Sequence, residues 1–468
     1  MPSRLCKAAA VAVVLGFPVA ARAATDDDLA AIRAEIRQLK ASYEARIGAL
    51  EARLRDAEAA VRGAAASAVP PGAATPPATA TAASSTPAAA TAAPATGLAA
   101  FNPAVSIVLQ GRYAYLSQDP DRFAIAGFPQ ADDIGPGRRG LSLAESEVTF
   151  SANVDDRFAG NLTVALAPDN SVSVEEAYGT MPSLASGLVP KFGRFFSGIG
   201  YLNEQHQHVW DFVDAPLAYQ AFLGGQLAQD GVQLKWVAPT DLYVELGGEL
   251  GGGDAFPGGG ARNGVGLATA FAHVGGDIGD SHSWRTGLSY AAARPRDRSA
   301  RQLDAAGELR DVSFSGDSDL VVADFVWKYA PHGNARETNV KLQAEYAWRR
   351  EHGTLSVDPG GVAPSTDAYA ARASGGYVQA VWQFVPAWRV GARFDVLSPG
   401  SASYGANADL LDLDFTSRRA TAMLDWTPSE FSRFRLQFAD SRTRPGVTDR
   451  ELVLQYILTL GAHGAHRF

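Results

Sequence analysis

The sequence predicts an all-β chain, a transmembrane antiparallel β-barrel of about sixteen strands, preceded by a periplasmic coiled-coil helix and a disordered linker. Three observations predict it. From residue 101 onward apolar residues recur with a period of two, in segments of about 9–13 residues, the length a tilted strand needs to cross a bilayer. Short turns alternate with long polar stretches between those segments. The final segment places Leu452, Leu454, Tyr456, Leu458, Leu460, Ala462 and the terminal Phe468 on one parity, as in a last strand that ends on an aromatic residue.

The elements before the barrel follow in order. Residues 1–23 read as a signal peptide: Arg4 and Lys7 precede an apolar run at 8–17, and Ala21-Arg22-Ala23 supplies small residues for cleavage. Residues 24–62 read as a coiled-coil stalk. Leu29, Ile32, Ile36, Leu39 and Tyr43 are spaced 3-4-3-4, and after a stutter of four the same spacing resumes at Ile47, Leu50, Leu54, Ala57 and Val61. So narrow a stripe needs a partner, either a second copy or the underside of the barrel itself. Residues 63–100 are nearly all Ala, Pro, Thr, Ser and Gly, and prolines at 70, 71, 76, 77, 87 and 94 defeat a helix, so this is a tether.

Residues 101–468 form the barrel. In the first strand Val105, Ile107, Leu109, Tyr113 and Tyr115 share one face, opposite Ser106, Gln110 and Arg112. Near 145–154, Val148, Phe150, Ala152 and Val154 oppose Glu145, Glu147, Thr149, Ser151 and Asn153. Near 338–349, Val340, Leu342, Ala344, Tyr346 and Trp348 oppose Lys341, Gln343, Glu345 and Arg349. A soluble sandwich also alternates, but charges standing on the non-apolar face in strand after strand suit a wet lumen. Short turns fall at 155–156, 239–241, 331–336, 386–387 and 427–432; long polar stretches fall at 117–140, 197–218, 251–264, 294–316, 351–372 and 398–416. An even strand number leaves both ends of the barrel on the periplasmic side.

Composition narrows the function classes. The chain is 46% hydrophobic and 19% charged, with no run of 18 or more apolar residues beyond the leader, so a helical membrane span is excluded on length. A net charge of −9 and the absence of a basic tract exclude a nucleic-acid partner. The single cysteine, Cys6, lies in the leader, which leaves no disulfide or thiolate site. No G-x-S-x-G, H-E-x-x-H or Walker loop is present, and no enzyme is expected.

Candidate site residues cluster in two places. The third external stretch carries Glu204, Asp211 and Asp214, with Gly198 and Gly200 permitting sharp bends; folded inward, it would narrow the lumen. Arg389, Arg393, Arg419, Arg433 and Arg435 fall on inward parity in three late strands, so an acidic loop facing an arginine wall is expected, with a transverse field that sorts ions. His206 and His208 point the same way if extended and, with Glu204, form a three-ligand zinc candidate; no other cofactor is expected. His463 and His466 are a second histidine pair considered for a metal, and Asp409, Asp412 and Asp414 suit divalent cations at the lipopolysaccharide surface.

Several stretches carry a family resemblance: LSLAESEV at 141–148, APDNSVSVEEAY at 167–178, GRFFSGIGYLNEQHQH at 193–208, WDFVDAPLAYQAF at 210–222 and LGAHGAHRF at 460–468. They resemble porin-superfamily proteins labelled zinc-regulated TonB-dependent outer-membrane receptors, and the stalk-plus-barrel layout is similar to phosphate-selective porins. The resemblance covers most of 101–468. It implies an outer-membrane protein, folded by the barrel assembly machinery and embedded in lipid and lipopolysaccharide. It also implies a homotrimer that passes small polar or ionic solutes. TonB-dependent receptors are plugged 22-stranded barrels. The coil and tether before residue 101 have no room for a plug, so a passive channel is expected. The alternatives are uptake of zinc or a metal complex, and a structural tether to the cell wall.

Overall fold

The computed structural model describes residues 103–461, apart from 132–133, 183, 185–186, 261, 362–363, 408–409 and 411–413. The signal peptide, stalk and linker, together with Asp409, Asp412, His463, His466 and Phe468, lie outside the described residues.

Eighteen strand segments form one antiparallel sheet that closes on itself. The first nine are β1 (Ala104–Leu116), β2 (Gly140–Leu143), β3 (Ser146–Asn153), β4 (Ala159–Leu166), β5 (Val172–Thr180), β6 (Leu188–Phe196), β7 (Ala228–Val237), β8 (Tyr243–Gly251) and β9 (Leu267–Ile278). The rest are β10 (His282–Ala293), β11 (Arg298–Leu303), β12 (Leu309–Tyr329), β13 (Asn339–Val357), β14 (Ser365–Val385), β15 (Trp388–Ser403), β16 (Ser417–Ser429), β17 (Ser432–Arg444) and β18 (Val447–Gly461). Both β2 and β3 pair with β1, and both β10 and β11 pair with β12, so the wall has 18 − 2 = 16 strands. The seam is β1 against β18, in continuous register from Ser106↔Gly461 to Leu116↔Glu451. Closure leaves no free edge, the condition for a sheet to live in hydrocarbon.

The pleat sorts the chemistry. Outward side chains are apolar and unburied, as at Tyr115 (58% exposed), Trp348 (48%) and Phe438 (47%). In water so continuous a band would aggregate, whereas in a bilayer it is solvated by acyl chains. Near the 386–387 and 430–431 turns an aromatic row closes the band: Trp388 stacks on Trp426 at 6.1 Å and Trp426 on Phe434 at 5.5 Å. Such rings sit at the headgroup level of a membrane. Inward positions carry the charge, among them Glu147, Glu345, Arg393, Arg419 and Arg435, all buried.

Three features differ from the sequence expectation. The stretches 294–316 and 351–372, expected as loops, are partly ladder: β12, β13 and β14 are 21, 19 and 21 residues long. Their outer ends reverse the apolar parity: Ser313, Ser315 and Asp317 stand on the outward side of β12, while inward Val312 and Phe314 pack in a buried cluster with Leu355, Val357 and Tyr369, as in a hairpin that has water outside and a packed loop inside. The second wall strand is interrupted at Ala144 and Glu145. In β5, Val164 faces Val174 while the adjacent Thr163 faces Glu176, so Glu175 is an extra residue in a β-bulge.

Candidate functional site

The third outer connection, residues 197–227, folds into the barrel and is bonded to its inner wall. A buried loop must find partners for every backbone group it removes from water, and here charged wall side chains supply them. At the root, Glu249 of β8 accepts from Ser197 Oγ at 2.5 Å and from the Gly198 amide at 2.8 Å. Asn203 closes the neck, donating to the Ser197 and Leu227 carbonyls and accepting from the Leu227 amide. Glu345 of β13 is the central acceptor. It takes the amides of Tyr201 and Leu202 at 3.2 and 3.1 Å, and the hydroxyls of Tyr219 and Tyr377 at 2.8 and 2.6 Å. Burial, reinforced by this carboxylate, raises the Tyr219 phenol well above its ordinary range. Gly200 sits at φ +66°, where a Cβ would stand 2.3 Å from the Glu345 carboxylate, so both its backbone and the close approach require glycine.

The connection carries a short helix, α1 (Leu217–Leu223), ended by Gly224 in the left-handed conformation. All seven of its residues are buried. Phe222 meets Phe128 of the first long connection edge-on at 5.6 Å, within an apolar cluster that includes Ile125, Ile199, Leu217 and Leu227. Burying each such side chain stabilises the inward position by about 1.5–3 kcal/mol.

The arginine wall bonds directly to this loop. Asp214 accepts from Arg393 at 2.7 Å, from Arg419 at 3.2 Å and from Gln437 at 2.6 Å. Burial alone would raise its carboxyl, but Arg393 and Arg419 hold it down at about 2. Asp211 pairs with Lys341, and with Arg389 at 3.3 Å; these cations likewise outweigh burial and lower it. Arg433 donates to the His208 carbonyl, and Arg435 to the Trp210 carbonyl at 3.0 Å while pairing with Asp425 at 2.7 Å. Of the residues expected to face one another across the lumen, Asp211, Asp214, Arg389, Arg393 and Arg419 are therefore in contact. Arg433 and Arg435 reach loop carbonyls instead. The physical reason is desolvation: once the loop covers these arginines, a charge without a partner within hydrogen-bond distance costs several kcal/mol.

Glu204, expected beside the histidines, instead pairs with Lys235 of β7. The histidines find other acids. His206 Nδ1 lies 3.2 Å from both Glu147 and Glu175, and its Nε2 lies 3.0 Å from Glu176. His208 Nδ1 lies 2.9 Å from the other oxygen of Glu147, and the two imidazoles stack at 5.7 Å. Burial works against a charge on His206, but bonds to Glu147, Glu175 and Glu176 override it and raise its pKa well above the ordinary value. The bulge makes this cluster. Regular pleating would send Glu175 and Glu176 to opposite faces, and the extra residue lets both reach the imidazole.

The loop is bonded to wall strands around most of the lumen, from Glu147 of β3 and Lys235 of β7 to Glu345 of β13 and Arg393 of β15. Inward side chains of β15–β18, such as Arg393, Arg419, Gln437 and Glu451, are buried beneath it. On β3 and β4, inward Thr149 and Asn161 are half-buried and Ser151 is exposed. A cavity of about 360 Å³ lies between that wall and the loop, lined by Glu147, Thr149, Asn161, Glu176, Glu204 and His206.

A closed sixteen-strand barrel with an apolar outer belt, a charged interior and a third loop bonded to its inner wall is a transmembrane β-barrel of porin architecture. The chain belongs to the same family as an uncharacterized protein of Aquifex aeolicus (strain VF5), with which it is 32% identical over 349 residues, 71% of either chain. No family model matches it. Among solved structures it is similar to the trimer form of OmpT, an outer membrane protein of Vibrio cholerae (12% identity, TM-score 0.46, 77% of this chain and 99% of that one). It is also similar to the outer membrane channel DcaP of Acinetobacter baumannii (12%, 0.45, 77% and 97%) and to an anion-selective porin from Comamonas acidovorans (9%, 0.46, 77% and 99%).

Proposed function

We propose that this chain is an outer-membrane diffusion channel for small polar and ionic solutes, with a preference for cations. One observation carries the reading: the loop's aspartates and wall acids pair with the arginines, while the cavity between the loop and the β3–β5 wall gathers more carboxylates than cations, with hydroxyl side chains beside them. Around the cavity stand Glu147, Glu175, Glu176 and Glu204, against Lys191, Lys235 and His206. After residue 100 the chain has 50 − 8 = 42 acidic and 41 − 10 = 31 Lys and Arg residues, so the long-range field also favours cations. The arginines hold the loop, and the opposite wall sets selectivity.

The reading carries with it the expectations for the flanking segments. A cleaved signal over 1–23 delivers the chain to the periplasm, the barrel assembly machinery inserts it, and lipid and lipopolysaccharide surround it. The 24–62 coil reinforces a homotrimer from the periplasmic side. Planar-bilayer recording of the purified protein tests the channel itself: discrete conductance steps are expected, and a folded barrel that conducts nothing would leave a structural tether as its role.

A further inference from the structure

We propose that Glu147, Glu175 and His206 form a binding site for one divalent transition-metal ion, of the zinc class, that clips the inward loop to the β3–β5 wall. One ligand atom from each of the three residues lies within 4.8 Å of the other two. The imidazole geometry points to an ion. His206 Nε2 lies 3.0 Å from Glu176, a carboxylate placed to accept an Nε2–H as outer-shell partners of metal-bound imidazoles do, with Nδ1 turned to the other two glutamates as the ligand atom. Nδ1 faces two carboxylate oxygens, one from Glu147 and one from Glu175, both at 3.2 Å. In the absence of an ion a proton on Nδ1 is shared by these two carboxylates in a three-centre bond, and a divalent ion would take that proton's place between the same three atoms. Around a tetrahedral zinc, with bonds of about 2.0–2.2 Å, neighbouring ligand atoms stand about 3.3 Å apart. The two Nδ1–carboxylate separations of 3.2 Å match that spacing, and the two carboxylate oxygens lie within 4.8 Å of each other.

The surroundings are those of a built site. The second oxygen of Glu147 receives His208 Nδ1 at 2.9 Å, which orients that carboxylate as outer-shell partners do. Glu175 is available only because the β5 bulge turns it inward beside Glu176. The adjoining cavity gives an ion and its water a way in from the lumen. Mixed imidazole and carboxylate ligation suits zinc-like ions, whereas magnesium and calcium prefer an all-oxygen set. Because His206 comes from the loop and both glutamates from the wall, an ion here ties the two together. The inference stands apart from solute conduction, since a barrel could bind the ion and conduct nothing.

Titration calorimetry of the full-length protein, in detergent and freed of metal with chelator, tests the site with ZnCl₂ as the probe. The expected result is one Zn²⁺ per chain, weakened at least tenfold in His206→Ala and in Glu175→Gln, and retained in His332→Ala, a histidine in a turn at the opposite end of the strands. MgCl₂ should give no comparable heat. Heat-modifiable migration reports folding of each variant, and Glu175→Gln keeps the test open should His206→Ala fail to fold. No stoichiometric zinc on the wild type, or equal zinc affinity in both site variants, would overturn the assignment. The second outcome would mean that the zinc sits elsewhere, with a protonated His206 pairing the glutamates.

Discussion

Asp214 of the inward loop and Arg393 of β15 hold each other twice: the guanidinium donates to the carboxylate at 2.7 Å and to the carbonyl of the same residue at 2.9 Å. Arg393 also donates to Asp395 at 3.0 Å and stands over the Phe212 ring at 4.9 Å. Replacing it with alanine takes the shared guanidinium from two buried carboxylates, leaving Asp214 to Arg419 and Gln437 and Asp395 to the Leu217 amide, so the cost should fall at or below about 3–5 kcal/mol, that of breaking a buried pair outright. We expect Arg393→Ala to free the 208–216 segment while the barrel stays folded. Limited proteolysis in detergent should cut this segment faster, and single-channel traces should become noisier. Unchanged cleavage would show that the apolar packing of α1 suffices.

The same pair sets an acid limit. The Asp214 carboxyl lies at about 2 in the folded chain, below the ordinary 3.8. A depressed carboxyl contributes stability that is fully present above the unfolded value and lost as pH falls through the folded one. Loop anchoring should therefore be constant above about pH 5 and weaken between about pH 4 and 2. Proteolytic susceptibility of the loop to an acid protease across that window reads it, and Asp214→Asn should flatten the profile.

Gly200 tests the loop root. Alanine there would press on the Glu345 carboxylate and force a non-glycine residue to φ +66°. Glu345 binds Tyr201, Leu202, Tyr219 and Tyr377 together, so the disturbance spreads to α1. We expect Gly200→Ala to lower the apparent unfolding temperature and alter conductance more than Gly279→Ala, an exposed turn glycine with nothing within 4 Å of its Cβ. Equal effects would remove the special role of the root.

How much of this was legible in sequence follows from where water lies. In β1 and β3 every outward residue could be read, because hydrocarbon on one side and a wet lumen on the other impose strict alternation. The outer halves of β12–β14 could not, since there the parity is inverted, with Ser313, Ser315 and Asp317 outward and Val312 and Phe314 buried inward. Inward parity found the arginines and the loop acids, but parity fixes a direction and no depth, so contact between Asp214 and Arg393 looked like opposition across a gap. Glu204 is next to His206 in sequence, yet Lys235 takes it. Glu147, Glu175 and Glu176 were missed as partners of His206, although a parity change was visible: Val172 and Val174 are outward, and so is Ala177, opposite Leu162. That odd step marks the bulge.

The two faces of the wall should respond differently to charge. Leu436 of β17 is outward and 44% exposed to what would be lipid, whereas Thr149 of β3 is inward beside the cavity. Arginine on the lipid face costs about 2–4 kcal/mol near the bilayer midplane. We expect Leu436→Arg to impair heat-modifiable folding in lipid vesicles. Thr149→Arg should fold normally and shift selectivity toward anions. The reverse ranking would contradict the inside–outside assignment.

The reversal potential of the wild-type channel in a planar bilayer under a KCl gradient tests most directly whether the acid-lined side of the lumen is the conducting path. A potential displaced to the side of potassium permeation is predicted, and it should shrink as salt rises and screens the lumen charges. A potential displaced to the side of chloride would contradict it, because it would mean that the arginines Arg389, Arg393 and Arg419 face the solute path rather than the loop.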